Sequence, residues 1–349
     1  MKILEIETEH TTPFKVLFEV LKDMLTETNI EFIAAPRKAK KNTKKNTDKE
    51  VENEDDVVEE EQDQDDDEEQ EEEEEEEEEE EQDGKPKKKD KDCMKINAID
   101  PTKTVLINLK LDGANFNKFM CKKNKLLIGV NLGCFYKLIK SMGKNDILTL
   151  GVDHDNKNYL NIKIDSPDEK KDSEFNMKLL DLNETKMSIP EITFDAVITM
   201  DSQEFNKLCR EMNNIADYVE IKCLTDKIIF TCKGEYADRK TTYRSTSTKD
   251  DDENENILVS ISHASTKTKG SGAPQIVQGI FELKNLVLFS KCASLCNDIE
   301  IYMKNNFPLV IKYTVATLGR ILLCLTPIKE ETTKNANYSD EEEFYSDAE

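Results

Sequence analysis

The chain has 349 residues, of which 37% are hydrophobic and 35% charged, and its formal net charge is −25. The negative charge belongs to two segments: residues 37–93 carry −17 and residues 330–349 carry −7, which leaves −1 on the other residues. No apolar run approaches the roughly 18 residues of a membrane helix, and the acidic start MKILEIE is unlike a secretory signal. We therefore expect neither a membrane span nor export.

A helix followed by a strand recurs four times along the chain. Each helix is amphipathic and about ten residues long, and a polar turn separates it from an alternating strand. In the first helix, Phe14, Leu17, Phe18, Leu21 and Leu25 share one face. The predicted units are 13–25 with 29–33, 134–142 with 146–152, 204–212 with 217–224, and 283–295 with 298–304.

The sequence between the helices alternates in polarity with the period of a β-strand. The predicted strands are 105–111, 126–130, 159–164, 194–200, 228–232, 257–261, 276–281 and 309–315. Four helices and many antiparallel strands predict an α+β protein whose helices pack on one face of its sheets.

Residues 37–93 interrupt this pattern with a segment that is almost entirely charged. Basic stretches flank residues 50–83, which hold 26 Asp and Glu and no Lys or Arg. Such a segment has too little apolar surface to offset the entropy of ordering, so we predict a disordered acidic insertion. It could be a solvated spacer, an internal mimic of DNA or a binder of basic proteins. The loops 250–256 and 264–274 and the acidic tail 330–349 are predicted to be irregular as well.

The residues that usually carry chemistry form no recognisable site. Nine cysteines without a CxxC pair favour buried free thiols in a reducing compartment over disulfides or zinc. The three histidines are isolated, and we find no phosphate-binding loop, dinucleotide fingerprint or nucleophile elbow. We predict a protein that is not an enzyme, with no cofactor and no metal site.

Basic side chains recur on all four helices at spacings that share one face, away from the apolar stripe. A pair of this kind is usually an ordinary solvated face, but its recurrence favours a surface for a polyanion such as DNA. No base-reading helix is evident, so sequence-specific binding is not expected. The candidate DNA-binding residues are Lys15, Lys22, Lys137, Lys140, Lys207, Arg210, Lys284 and Lys291.

Several short stretches resemble a known family. They are IDPTKTVL at 99–106 followed by Phe116, GVNL at 129–132, KLIK at 137–140, MKLLDL at 177–182, IPE at 189–191, Glu204-Phe205, Cys209-Arg210, FPLV at 307–310 and LTP at 325–327. In order and spacing they resemble the proliferating cell nuclear antigen (PCNA) family of eukaryotic and archaeal DNA sliding clamps. The resemblance runs from residue 1 to about residue 329, interrupted by 37–93.

The resemblance implies two similar clamp domains, each built from two helix-plus-antiparallel-sheet units. Residues 1–36 with 94–172 form the first domain, residues 196–329 the second, and 173–195 a connector between them. Subunits of such clamps close head to tail into a ring, usually a homotrimer, whose helices line a central hole. The edge strands expected at the seam are 159–164 of one subunit and 240–245 of the next.

The function implied is that of a processivity factor for replication and repair. The ring would encircle duplex DNA and tether a DNA polymerase, and a separate ATP-driven clamp loader would open it. Partners of such clamps insert a motif of Gln, an aliphatic residue and two aromatic residues into a pocket under the connector. Carried over by position, that pocket comprises Ile99, Lys103, Leu106, Met187, Ile189, Pro190, Phe194, Pro308, Cys324, Thr326 and Pro327.

A second hypothesis stands beside the clamp: a clamp-folded scaffold or acidic chaperone that binds basic proteins without encircling DNA. Both hypotheses place the protein inside the cell and without a membrane partner. For a clamp, the expected location is the site of DNA replication, either the nucleus or a viral replication compartment.

Overall fold

A computed structural model describes residues 1–35, 91–183, 192–245, 259–263 and 276–328. The predicted insertion lies outside these ranges except for its last three residues, and the predicted tail lies entirely outside them. The predicted loops 250–256 and 264–274 also fall outside the described residues.

Within its described residues, the first half of the chain forms two α-helices, a 3-10 turn (Gly113–Asn115) and nine strands. The helices and strands are β1 (Lys2–Thr8), α1 (Thr11–Met24), β2 (Glu27–Ile33), β3 (Cys93–Ile99), β4 (Val105–Asp112), β5 (Lys118–Cys121), β6 (Lys125–Asn131), α2 (Leu132–Ile139), β7 (Ile147–Asp153), β8 (Asn156–Ser166) and β9 (Lys171–Lys178).

The second half repeats this order. Its elements are β10 (Ala196–Asp201), α3 (Ser202–Asn213), β11 (Tyr218–Cys223), β12 (Lys227–Lys233), β13 (Asp238–Arg244), β14 (Val259–His263), β15 (Val277–Glu282), α4 (Leu283–Ser290), a 3-10 turn (Lys291–Ser294), β16 (Asp298–Met303), β17 (Leu309–Val315) and β18 (Gly319–Leu325). The α+β class and the four helix–strand units are confirmed.

Helices α2 and α3 begin two residues earlier than the sequence pattern predicts, because each follows its preceding strand without a loop. The last residue of that strand caps the helix. Asn131 Oδ1 accepts a hydrogen bond from the Cys134 amide at 2.9 Å. Asp201 Oδ1 accepts one from the Glu204 amide at 2.7 Å. Each cap satisfies a backbone donor that the helix itself leaves unpaired.

The two halves use the same strand pairings. β1 pairs with β5 and β7, as β10 pairs with β14 and β16. β2 pairs with β3 and β6, as β11 pairs with β12 and β15. The chain is therefore an internal duplication at the level of sheet topology.

One further pairing joins the halves. β4 of the first half pairs antiparallel with β18 of the second, from Leu111 opposite Gly319 to Val105 opposite Leu325. The result is a nine-stranded sheet in the order β14-β10-β16-β17-β18-β4-β3-β2-β6. The sequence analysis predicts two domains joined by a connector, and it does not predict this shared sheet.

The prediction that residues 159–164 form an edge strand is wrong. These residues lie in β8, which pairs with β7 on one side and β9 on the other. A turn that contains Pro167 and a left-handed Lys170 (φ 51°) folds the chain back as β9. Residues 173–178, predicted as connector, are therefore sheet, and β9 is the edge. The other expected edge, 240–245, lies at β13, which is the outer strand of its four-stranded sheet.

The core follows the predicted alternation. In β4, Val105, Ile107, Leu109 and Leu111 are buried and the residues between them are half-buried. The apolar face of α1 is buried as predicted, including Phe14, Leu17 and Phe18. Core strands such as β4 thus turn one face toward the interior and the other face outward.

Three cysteines depart from the predicted burial, since Cys134 is exposed and Cys296 and Cys324 are half-buried. None of the nine forms a disulfide, and six of them are buried. Cys134 is exposed on α2, because it occupies the side of that helix opposite the buried Phe135 and Ile139. Among the described residues, no helix has the length and apolar character to cross a bilayer.

Gly319 sets the distance of closest approach at the junction of the halves. A Cβ there would lie 2.2 Å from the carbonyl oxygen of Lys110 and 2.8 Å from the Cα of Leu111. We expect Gly319→Ala to lower the free energy of unfolding by about 1–3 kcal/mol or more, because the backbone of β4 must move. Urea unfolding measures this change.

Gly133 in α2 provides the matched control. A Cβ there would meet its nearest atom at 3.5 Å, an ordinary contact. Gly133→Ala should be neutral or stabilising by up to about 1 kcal/mol, since alanine favours a helix over glycine. Equal losses in the two variants would contradict the special role of the junction glycine.

Candidate nucleic-acid and partner surfaces

The four helices form one contiguous layer. α1 packs against α2, and α3 packs against α4. α1 also contacts α4 and the 3-10 turn that follows it, so the layer continues across the junction of the halves. Since the apolar faces of these helices point into the core, their polar faces form a shared surface.

This surface carries the eight predicted cations. Lys15 and Lys22 are half-buried, and the other six are exposed. Lys15 and Lys22 lie on α1, Lys137 on α2 with Lys140 capping its end, Lys207 and Arg210 on α3, Lys284 on α4 and Lys291 at the start of the 3-10 turn.

Four of the cations have internal acceptors. Lys15 Nζ donates to the Met142 carbonyl oxygen at 2.7 Å, and Lys284 Nζ lies 2.7 Å from Glu282 Oε1. Lys22 and Lys291 both bond to Asp23, at 2.5 and 2.7 Å. The structure thus brings Lys22 and Lys291 together from opposite ends of the chain.

The other four cations are Lys137, Lys140, Lys207 and Arg210. None of them forms an ion pair or a side-chain hydrogen bond within the described residues. They are exposed on α2 and α3, one helix from each half. Among the eight candidates, these are the groups most available to an external anion.

A second surface lies on the face of the nine-stranded sheet opposite the helices. Residues in register across an antiparallel sheet share a face, and six apolar ones lie side by side here. We call them the outer row: Ile99, Leu106, Cys324, Val310, Tyr302 and Val197. Ile99 is 44% exposed and the other five are half-buried.

A row of five polar residues and Leu322, which we call the polar row, bounds the outer row on one side. It comprises Asn97, Asn108, Leu322, Lys312, Glu300 and Thr199. Asn108 Nδ2 donates to Asn97 Oδ1, and Lys312 Nζ lies 2.8 Å from Glu300 Oε1. Although burial opposes it, hydrogen bonds from Lys312 and Tyr302 hold the pKa of Glu300 below its ordinary value. The apolar strip is therefore narrow and has a charged border.

The predicted pocket residues are brought together only in part. Ile99, Leu106 and Cys324 are direct neighbours in the outer row. The ring centre of Phe194 lies 5.4 Å from that of Tyr302, which is near the other end of the outer row. Pro308 and Pro327 are half-buried next to β17 and β18. Met187, Ile189 and Pro190 lie outside the described residues.

A tight turn at Asp100 lies beside the outer row. Lys103 is part of this turn, and Thr326 is bonded to it. The Asp100 carboxylate accepts hydrogen bonds from the amides of Thr104 at 2.8 Å and Val105 at 2.6 Å. Lys103 adopts a left-handed conformation (φ 59°) in this turn. The Thr326 amide donates to the Thr104 carbonyl oxygen at 3.0 Å, which ties β18 to the turn.

Burial governs the acidity of the polar groups in the outer row. It raises the pKa of the Cys324 thiol to about 11. It also raises the pKa of Tyr302 to about 12, helped by the hydrogen bond that Tyr302 donates to Glu300. Both groups are neutral at pH 7, so the row presents an uncharged surface suited to apolar ligands.

The chain that leaves β9 lies on β6 and β2. The Leu180 amide donates to the Gly129 carbonyl oxygen at 2.8 Å, and Asn29 Nδ2 donates to the Asn183 carbonyl oxygen at 3.3 Å. A Cβ at residue 129 would lie 2.2 Å from the Leu180 carbonyl oxygen, which explains the glycine. A cleft of 670 Å³ opens beside this contact, bordered by Lys157 and Lys178.

Sequence reasoning missed Val197, Val310 and Tyr302. Their alternation with buried neighbours places them on the outer face of their strands. That signal is present in the sequence, but their proximity to Leu106 depends on the register across the junction. Among the described residues, no cluster of three His, Cys, Asp or Glu is placed to hold a metal.

Family models match most of the chain. The model described as "Proliferating cell nuclear antigen, N-terminal domain" matches residues 86–186. The model described as "Proliferating cell nuclear antigen, C-terminal domain" matches residues 188–328. Together the two matches cover the second half of the duplicated fold and the first half from β3 onward.

Two viral proteins are similar in sequence. A "Probable DNA polymerase sliding clamp" of Acanthamoeba polyphaga mimivirus is 27% identical over 329 residues, which cover 94% of this chain and 62% of that protein. A "Probable DNA polymerase sliding clamp 1" of Paramecium bursaria Chlorella virus 1 is 28% identical over 239 residues, which cover 67% of this chain and 84% of that protein. The chain thus spans less than two thirds of the mimivirus relative.

One solved structure shares the fold. The crystal structure of the proliferating cellular nuclear antigen from Entamoeba histolytica superposes with a TM-score of 0.67 at 18% identity. The match covers 94% of this chain and all of that one. At this identity the likeness concerns the fold alone.

The hydrogen bonds of Asp100 allow a test of what stabilises the turn beside the outer row. Hydrogen bonds from Thr102, Thr104 and Val105, acting against burial, keep the pKa of Asp100 below its ordinary value. Its stabilising effect should therefore be complete above the ordinary aspartate pKa of about 3.9 and lost as the pH falls through the lowered pKa. We expect Asp100→Ala to lower the free energy of unfolding by about 1–3 kcal/mol at pH 7.

Urea unfolding at pH 7 and at low pH measures this difference. The gap between Asp100→Ala and the unmodified protein should narrow in acid. Asp217→Ala in the exposed turn before β11 is the control, and it should change stability little at either pH. A gap that stays constant with pH would contradict the assigned role of the carboxylate.

Proposed function

Because the chain belongs to the proliferating cell nuclear antigen family, we propose that it is a DNA sliding clamp. Three copies would close into a ring around duplex DNA and tether a polymerase without reading sequence. No catalytic step is involved, since the ring acts by topological linkage. It raises the effective concentration of the polymerase at the primer end.

The observation that carries this proposal is a pair of unused sheet edges. Within the chain, β18 of the second half pairs with β4 of the first half. By the duplicated topology, β9 of the first half corresponds to β18, and β13 of the second half corresponds to β4. Among the described strands, β9 and β13 are each paired on one side only. A second copy can therefore repeat the internal junction by joining its β13 to β9.

The backbone supports this pairing. The Ser245 amide bonds to the Asp226 carbonyl oxygen, and the Gly234 amide bonds to the Ala237 carbonyl oxygen. Because antiparallel bonding alternates along a strand, the amides of Lys240 and Thr242 point away from β12. By the same rule, the Leu179 bond to Asn158 leaves the amides of Glu174 and Asn176 free to point outward.

Both edges carry exposed charges of both signs, so oppositely charged side chains can meet across the contact. The charges are Lys171, Asp172, Glu174 and Lys178 on β9, and Asp238, Lys240 and Arg244 on β13. Joining unlike edges head to tail gives a heterologous contact, which forms a ring where the rotation closes. Closure also removes two exposed edges that would otherwise favour aggregation.

The helix layer supports the DNA contact. Lys137, Lys140, Lys207 and Arg210 offer exposed charge on α2 and α3, and a ring of three copies presents twelve such groups. Phosphate contacts of this kind bind without reading bases and weaken as salt rises. A modest number of exchangeable contacts suits movement along the duplex.

The outer row supports partner binding. A narrow apolar strip with a polar border suits a short peptide whose aliphatic and aromatic side chains fill it. We propose that a motif of Gln, an aliphatic residue and two aromatic residues binds there, as in DNA polymerases and other clamp partners. Loading the closed ring onto circular DNA would require a separate ATP-driven loader.

The acidic segment 50–83 motivates the alternative, a scaffold or chaperone for basic proteins. Deleting it separates the two functions, because clamp activity should survive and binding of basic proteins should not. The direct test of the clamp is mass in solution by light scattering, followed by processive synthesis on primed circular DNA. A mass near three times 40.1 kDa is expected, and a persistent monomer that fails to support processive synthesis would overturn the proposal.

The seam can be tested at one backbone amide. We expect Thr242→Pro to convert the trimer to monomer while leaving the fold intact, because proline removes an outward amide without breaking the bonds to β12. Light scattering and circular dichroism report assembly and fold. Thr242→Ala keeps the amide and is the control, so its mass should remain that of the trimer.

The outer row can be tested at two residues of one strand. Leu106 and Asn108 lie on the same face of β4, in the outer and polar rows respectively. Leu106→Ala should weaken binding of a fluorescent peptide carrying the motif by at least about tenfold, as expected for loss of a buried anchor. Asn108→Ala should change it by less than about twofold. Equal effects would place the peptide elsewhere.

A further inference from the structure

One carboxylate in the helix layer holds two of the candidate DNA-binding cations. Asp23, at the end of α1, has Oδ1 2.5 Å from Lys22 Nζ and Oδ2 2.7 Å from Lys291 Nζ. Lys22 belongs to the first half of the duplication and Lys291 to the second. Asp23 therefore bridges cations from both halves at the point where α1 meets the 3-10 turn.

The surroundings favour the charged forms of Lys22 and Asp23. The hydrogen bond to Asp23 raises the pKa of Lys22. Against the opposing effect of burial, the two lysines lower the pKa of Asp23. Lys22 also lies 5.1 Å from the centre of the Tyr136 ring, which orients it along α2.

The cluster is open to solvent. The side chain of Asp23 is 27% exposed and that of Lys291 is 46% exposed. An external anion can thus reach both lysines, where it would compete with the carboxylate for their N–H donors. Lys137, Lys140, Lys207 and Arg210 have no such competitor among the described residues.

We propose that Asp23 is a positioning residue that competes with DNA phosphate for Lys22 and Lys291. The inference rests on the proposed clamp function and adds a division of labour within the helix layer. The unpaired cations on α2 and α3 supply most of the attraction to DNA. The two lysines at the junction exchange one anion for another, so their contact with a passing phosphate gains little net free energy.

This exchange bears directly on sliding. A cation that gains a strong new partner at each phosphate would hold the duplex in place. A cation that leaves an internal carboxylate and later returns to it can release the phosphate readily. Asp23 thereby limits the affinity of the ring for DNA at the junction of the halves.

The test is Asp23→Asn, which keeps the size of the side chain and removes its charge. Binding of a fluorescent linear duplex is measured by anisotropy over a range of salt concentrations. We expect about three- to tenfold tighter binding at low salt. We also expect a steeper salt dependence, since additional phosphates are then neutralised.

Glu19→Gln is the matched control for net charge. Glu19 is exposed on the same helix, its carboxylate interacts with the Tyr136 side chain, and it acts on Lys22 only at a distance, without an ion pair. The change in net charge is the same as in Asp23→Asn, but no ion pair is broken. Glu19→Gln should therefore alter binding by less than about twofold. An equal gain in both variants would overturn the proposal, because charge alone would explain it.

A second set of variants begins with a comparison that does not depend on how Asp23→Asn folds. In the otherwise unmodified protein, Lys22→Ala with Lys291→Ala should weaken duplex binding less than Lys137→Ala with Lys140→Ala. Adding the first pair to Asp23→Asn should abolish its gain in affinity. A larger loss from the first pair, or a gain that persists without the two lysines, would overturn the inference.

Failure of this inference is distinguishable from failure of the clamp function. If the unmodified protein binds duplex DNA and supports processive synthesis, but Asp23→Asn leaves affinity unchanged, only the role of Asp23 is wrong. If the unmodified protein neither binds duplex DNA nor supports processive synthesis, the clamp function itself is wrong, and this inference is overturned with it.

Discussion

The antiparallel pairing of β4 with β18 is the interaction on which the other features of the protein depend. It joins the halves of a duplicated chain into one nine-stranded sheet. It places Leu106 beside Cys324, so that the apolar row runs without a break from one half to the other. It also aligns the helices, so that Asp23 on α1 reaches Lys291 beyond α4. Gly319 permits this approach because no side chain separates the two backbones.

The two faces of the sheet have different tasks because side chains alternate along a strand. Inward residues such as Ile107 and Leu323 are fully buried beneath the helices. Outward residues such as Leu106 and Cys324 remain half-exposed, and a polar row marks their border. In the proposed ring, the helix side would meet DNA and the outer side would meet partner peptides. The two bound molecules would then not compete for the same surface.

The helix layer is only moderately cationic, and half of its eight candidate cations have internal acceptors. Lys15 bonds to a backbone carbonyl, Lys284 to Glu282, and Lys22 and Lys291 to Asp23. Such pairing reduces the field that DNA meets. For a protein proposed to move along a duplex, weak contact is an advantage because tight contact at fixed positions would oppose movement.

The amino-acid sequence by itself determined the local structure: the four amphipathic helices, most of the strands and the cationic positions all follow from periodicity. It misplaced the edge at 159–164, because a strand paired on both sides and a strand paired on one side can show the same alternation. It also did not indicate that Tyr302 and Val310 extend the row of Leu106, or that Asp23 binds Lys291. Those relations join residues far apart in the chain, and only the register of β4 against β18 and the packing of α1 on the 3-10 turn decided them. Local patterns record which way a side chain points, whereas tertiary pairing decides which residues it meets.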